Sequence, residues 1–208
     1  VTFPVEMDYY IAAANQVSLD SANVLAQSIS NSLGDDFMKL NIKTYVSSST
    51  QEVLNPHLQS ITMNGWGADY GDPQNYLGNE VSGNDSAYYS RTQNNINDVE
   101  ATEATQDLLD TYAEFTAMVA EADAITDDLD ARYEAYADAE AFLIEHALTL
   151  PSNFDIGWEL THINDYNKQN AMFGIQNQKY KNWETSTDAY TAEDYAGFQE
   201  TWNAGSAE

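Results

Sequence analysis

Val1-Thr2-Phe3-Pro4-Val5-Glu6-Met7-Asp8-Tyr9 alternates large apolar with polar residues, the two-residue period of a half-buried strand. Pro4, which cannot donate to a ladder, places that strand near a sheet edge or at its own start. Beyond it, Asp20 or Ser21 serves as a cap, Val24, Leu25, Ile29 and Leu33 recur at helical spacing, and Gly34 ends the run; the spacing predicts a helix over 21–33. Met38, Leu40, Ile42 and Val46 predict a second strand, and Ser49-Thr50-Gln51-Glu52 has the form of a capping box opening a short helix. Ile61 and Met63 then predict a third strand over 60–65. Strands fed by intervening helices run parallel, so this order predicts an α/β fold, a mixed sheet with helices on its faces.

The second half reads as helix. An apolar face runs through Leu108, Leu109, Tyr112, Phe115 and Val119, and another through Leu129, Tyr133, Tyr136, Leu143, Ile144 and Ala147. The break at 123–130, with Thr126-Asp127-Asp128 as a cap, predicts two helices packed on a sheet rather than one coiled coil. Leu148-Thr149-Leu150-Pro151 ends the second and opens an extended segment over 153–161. Between the two halves, 71–99 has the Gly, Asn, Asp and Ser chemistry of a loop; its tyrosines, Tyr76, Tyr88 and Tyr89, read as anchors on the domain surface or as the lining of a pocket, the first being the commoner role, and they are left out of the site.

Composition narrows the function. The chain has 208 residues, 43% of them hydrophobic, enough for a sizeable core. Seven Lys and Arg stand against 34 Asp and Glu, a formal charge of -27, which repels phosphate backbones and excludes nucleic acid as a partner. There is no cysteine, hence neither a disulfide framework nor a thiolate metal site. No run of about 18 apolar residues spans a membrane, and the first residues do not form a signal peptide. The abrupt, strand-like start suggests a domain excised from a longer protein.

The chemistry concentrates in Asn64-Gly65-Trp66-Gly67-Ala68-Asp69-Tyr70-Gly71-Asp72-Pro73. Three glycines in seven residues strip side chains from a short backbone run, so another chain can approach it closely. An aromatic wall, Trp66, and a carboxylate anchor, Asp69, sit among them at the end of the third strand, a common ligand position in open α/β sheets. On the residues alone, Asp69 also reads as the cap of a turn before Tyr70-Gly71, and Trp66 as core.

This run resembles the Trp-x-Ala-Asp-Tyr-x-Asp-Pro segment of oligopeptide-binding proteins, the extracytoplasmic solute-binding subunits of peptide-importing ABC transporters (solute-binding protein family 5). Arg132, Tyr136, Ala139, Glu140, Leu143, Leu150 and Pro151 follow the family's helix and Leu-Pro turn, and 171–183 resembles the end of its Gram-positive branch. The resemblance implies one lobe of a two-lobed, periplasmic-binding-protein-like (class II) clamp. Residues 1–183 form the C-terminal ligand-binding lobe, and 184–208 an acidic, aromatic tail packing on another part of the parent protein. It implies that Asp69 pairs with the α-amino group of an oligopeptide, that Gly67 and Gly65 pair through their backbone with the peptide main chain, and that Trp66 and Ala68 shape the cleft. It further implies three surroundings: an N-terminal lobe of the same protein, a membrane permease as partner, and a lipoprotein anchored at the surface of a Gram-positive cell.

Other constellations fit less well. Gly65, Gly67 and Gly71 lack the spacing of a dinucleotide loop, and Asp69, Asp72 and Asn75 lack that of a calcium loop. His57, His146 and His162 are far apart, so the chain is expected to hold no metal and no cofactor, and no Gly-x-Ser-x-Gly marks a nucleophile. The competing class is an acidic extracellular enzyme such as a glycosidase using Asp69 and Asp72 as a carboxylate pair; the leading reading is non-enzymatic, with no catalytic residue.

Overall fold

The first strand, β1 (Val5–Ala12), begins directly after Pro4 and pairs in parallel with β2 (Met38–Tyr45), in register from Val5 opposite Met38 to Ala12 opposite Tyr45, in a computed structural model that describes residues 2–153 and 185–205. Asn41 spans the strands, its amide donating to Glu6 and Asp8, and Lys43 pairs with Asp8. That ion pair is exposed and adds little to stability. The connection is α1 (Gln16–Leu33), which packs on the sheet and buries Ala22. It starts five residues before the predicted helix because Asn15, not Asp20 or Ser21, is the cap: its side-chain oxygen accepts from the Ser18 N–H at 3.0 Å. Its end is as predicted. Gly34 adopts φ 84°, a left-handed conformation that suits glycine, while its N–H returns to the Ser30 carbonyl.

The capping-box segment forms one π-helical turn, Thr50–Leu54, and Glu52 reaches back to accept from the N–H groups of Val46, Ser47 and Ser48. Those three donors hold its carboxyl down at about 2. The third strand is reduced to a single parallel bridge, Ile61 to Tyr9, on the side of β1 away from β2. The Ser60 and Ile61 N–H groups both turn to the Asp8 carbonyl, which ends the pairing after one residue. Among the described residues, then, the sheet is two parallel strands with a helix across them.

The predicted loop over 71–99 carries its own short helices, α2 (Gln74–Leu77) and α3 (Tyr88–Thr92), and a 3-10 turn, Ile96–Asp98. Side-chain amides and hydroxyls stitch it together: Ser90 Oγ donates to Val81, Asn79 to Asn75, and Asn97 Oδ1 accepts from Gly83. Then come α4 (Gln106–Ala124) and α5 (Leu129–Glu145), the latter capped by Asp128 as the sequence predicts. Among the described residues their main contacts are with each other and with α2. Their seam is Phe115, Val119 and Ala122 against Tyr136, Ala139 and Leu143, closed from the loop side by Leu77, Val81 and Ala87. This cluster takes up the apolar faces that the spacing assigned to the sheet, leaving Leu108, Leu129 and Ile144 exposed. The tail forms α6 (Ala192–Gly205), opened by a reciprocal Thr191–Asp194 cap, with Tyr190 edge-on to Tyr195 and Phe198. The extended segment over 153–161, His162 and the run 171–183 lie almost wholly outside the described residues, as does Val1.

Candidate functional site

After Ile61 the chain leaves the sheet and runs through 62–69 without a backbone–backbone hydrogen bond among the described residues. A side-chain carbonyl organises this run instead. Asn75 Oδ1, on the first turn of α2, accepts from Trp66 Nε1 at 3.1 Å and from the Asp69 N–H at 2.7 Å. Trp66 and Asp69 are thereby held to one point. The Trp66 ring is packed by Tyr88 at 5.6 Å and, edge-on, by Tyr89 at 5.9 Å. Those tyrosines arrive there because the Asn79 carbonyl, just beyond α2, accepts the N–H groups of both Tyr89 and Ser90.

The five predicted residues are thus contiguous in space but differ in orientation. Gly65, Gly67 and Asp69 are exposed, Trp66 is half-buried, and Ala68 is buried, 5% exposed. A Cβ at Gly65 or Gly67 would meet nothing within 4 Å, and neither residue has a positive φ. The chain's own packing does not call for glycine at either position. Gly65 N–H is taken by the Asn64 side chain at 2.8 Å; no hydrogen bond to the Asp69 carboxylate is found among the described residues.

Asp72 has a different task. Its carboxylate accepts from Gln74 N–H at the start of α2 and forms a two-point pair with Arg132 on α5, Nε to Oδ2 and Nη2 to Oδ1, both 3.0 Å. The remaining Arg132 donors reach the carbonyls of Ala122, Asp123 and Ile125 at the end of α4 and the Asp123 carboxylate, and its guanidinium lies 5.0 Å from the Tyr136 ring centre. Arg132 holds the Asp72 carboxyl below the usual carboxylate range. A glycosidase acid must hold its proton near neutral pH, and Asp72, lowered and tied at two points to Arg132, does not suit that part of an Asp69–Asp72 pair.

Two cavities flank the run. One, of about 520 Å³, lies between 71–77 and α5, walled by Tyr76 and Tyr133. The other, of about 450 Å³, is lined by Met63, Asn64, Glu80 and Tyr89 among others. Among the described residues no three His, Asp or Glu side chains stand together as a metal site, and no helix is long and apolar enough to cross a membrane. His57 lies 3.8 Å from Asp98, and His146 stacks on Phe142.

Against known proteins, the chain is 32% identical over 224 residues to the oligopeptide-binding protein SarA of Streptococcus gordonii, a match covering all of this chain and 32% of SarA. Its homologues are oligopeptide-binding proteins. AliB and AmiA of Streptococcus pneumoniae are 28% and 26% identical, each over 97% of this chain and 31% or 32% of its partner. The chain therefore spans about a third of the length of these oligopeptide-binding proteins. No family model matches. Among solved structures, the unliganded open form of MppA, a periplasmic murein tripeptide binding protein, aligns with a TM-score of 0.49 at 20% identity, over 69% of this chain and 23% of that one.

Asn75, Tyr88, Tyr89 and Arg132 are the residues that shape this site without having been assigned to it from sequence. Only Arg132 carried a signal, its place in the motif ending at Leu143. The tyrosines sit in a segment without periodicity, and Asn75 looks like any turn asparagine.

Proposed function

We propose that this chain is the C-terminal lobe of the extracytoplasmic binding subunit of an oligopeptide ABC importer, and that 65–69 is its peptide-contacting run. One observation carries the reading: an exposed stretch of backbone with its hydrogen-bonding groups largely unclaimed, glycines whose Cβ directions are open, and at its end an exposed carboxylate without a partner among the described residues. Such a run is chemically complementary to an extended peptide. Main-chain groups of the peptide pair with Gly65 and Gly67 as an added strand, which is tolerant of sequence, and the peptide's α-amino group pairs with Asp69. Trp66, held by Asn75 and the two tyrosines, walls the cleft. Two-thirds of each relative lies outside the matched part, and it would supply the opposing N-terminal lobe. Lobe closure would change the surface read by a membrane permease. The reading places the protein at the outer face of a Gram-positive membrane as a lipoprotein, without enzymatic activity.

The carboxylate-pair enzyme has less to stand on. Asp72, the second member of that carboxylate pair, is engaged at two points by Arg132.

Calorimetric titration of short peptides, free and N-acetylated, into the full-length protein and its Asp69→Asn variant tests the proposal. Free peptides bind, and acetylation or the substitution each removes most of that affinity. Equal binding of acetylated peptides overturns the role of Asp69, and absence of any peptide binding overturns the receptor reading.

A further inference from the structure

The cavity of about 450 Å³ opens beside the peptide-contacting run. Met63 and Asn64, the two residues ahead of Gly65, form one wall, and Tyr89, edge-on to Trp66, forms another. In an extended peptide successive side chains point to opposite sides, so a peptide lying along the run directs alternate side chains toward the protein, and one of them meets this opening.

The wall chemistry selects what fits. Ile61, Met63 and Leu148 give apolar flanks for a long hydrocarbon stem. At the polar end Glu80 carries one side-chain hydrogen bond, from Asn94 Nδ2 at 3.1 Å, and the Gln93 side-chain oxygen is buried with no partner. The residues lining the cavity include no lysine, arginine or histidine, so a positively charged donor for Glu80 would come from the ligand.

We propose that this cavity is a side-chain pocket of the peptide cleft that selects lysine or arginine, with Glu80 as its specificity-determining acceptor. The assignment rests on the peptide-binding reading above. The stem of a basic side chain covers Ile61 and Leu148 while its head reaches the carboxylate. Burial pushes the Glu80 carboxyl up to about 7, against the lesser, lowering effect of Asn94, and no lysine, arginine or histidine among the described residues counters it. The titratable groups facing Glu80 are the phenols of Tyr89 and Tyr112. Burial raises both, Tyr89 to about 12, so both stay neutral and leave the charge for a ligand to supply. The net charge of -27 draws cationic peptides toward this surface.

The test is calorimetric titration of the full-length protein with alanine-based peptides bearing a free amino terminus and carrying lysine or norleucine at each position in turn, at about pH 6 and about pH 8. Norleucine keeps the stem and removes the charge, and the ratio of the two affinities cancels titration of the peptide's own amino group. At one position lysine binds about tenfold tighter than norleucine at the higher pH. That preference shrinks by about tenfold at the lower pH as Glu80 takes up its proton. Glu80→Gln removes both the preference and its pH dependence. If norleucine peptides bind and lysine gains nothing at any position, or the gain survives Glu80→Gln, the pocket assignment is overturned while the receptor reading stands. If neither peptide binds, both fall. Should Glu80→Gln fail to fold by circular dichroism, the wild-type ratio decides alone, and a ratio that does not change with pH overturns the assignment.

Discussion

Asp72 and Arg132, 60 residues apart, meet in a two-point ion pair at 3.0 Å and 3.0 Å that ties the segment just after the candidate peptide run to the turn between α4 and α5. Arg132 also closes the end of α4 through three carbonyls, so its removal strands several acceptors at once. Arg132→Gln is expected to destabilise the chain by about 2–3 kcal/mol, less than for a fully buried pair because Asp72 keeps a quarter of its side chain in solvent. Arg132→Lys does not restore the loss, since an ammonium cannot satisfy both carboxylate oxygens and the carbonyls. Urea denaturation checks both. The Asp72 contribution is present above its ordinary value of 3.8 and is lost as pH falls through the lower folded value, so Asp72→Asn flattens the acid side of the stability curve.

Asn75 holds Trp66 and Asp69 with one oxygen. Asn75→Leu leaves both donors unpaired and frees the indole, which shows as a shift in tryptophan emission. Peptide affinity falls by about tenfold, roughly 1.4 kcal/mol. Asn75→Asp, which keeps an acceptor at the same place, restores most of the affinity. A loss common to both variants shows that the geometry of this contact does not matter.

Open space around Gly67 separates folding from binding. Gly67→Val alters stability by no more than about 0.5 kcal/mol, as at an ordinary surface position. Its side chain nevertheless blocks approach to the backbone, and peptide binding drops by at least about tenfold. Thermal melts beside titrations read the two effects independently, and unchanged affinity removes Gly67 from the contact surface.

Burial of Glu80 makes stability fall with pH. Below its ordinary value of 4.5 the carboxyl is neutral folded or unfolded. As pH rises toward the folded value of about 7, the unfolded chain ionises freely while the folded one does not, and stability is lost until both are charged. Glu80→Gln removes this slope and raises the melting temperature at neutral pH by several degrees, on the order of 5 °C. A wild-type melting temperature that stays level between about pH 5 and pH 7, with the same profile in the variant, contradicts burial of an ionisable group.

The elements visible in the sequence were those held by local chemistry. Asp128 and Gly34 terminate helices through contacts within a few residues, and both positions are legible from residue type alone. The third strand failed because Ile61 and Met63 alternate correctly, yet pairing depends on where Asp8 directs its carbonyl, and the Ser60 and Ile61 N–H groups use it up together. Packing of α4 on α5 was likewise hidden, since an apolar face does not name its partner. Within the candidate site, Gly65 to Asp69 are marked by composition and motif alone. Tyr88, Tyr89 and Asn75 join it through the Asn79 carbonyl and the fold of a segment with no period.

The seam at Arg132 sets a rule for anyone exchanging parts between relatives of this chain. A chimera that imports the helical hairpin from another protein must bring an arginine at 132, or carry a compensating change at 72, because the segment just after the candidate run and the turn of the hairpin share that one side chain. Cut points that look independent along the chain are, in three dimensions, a single splice.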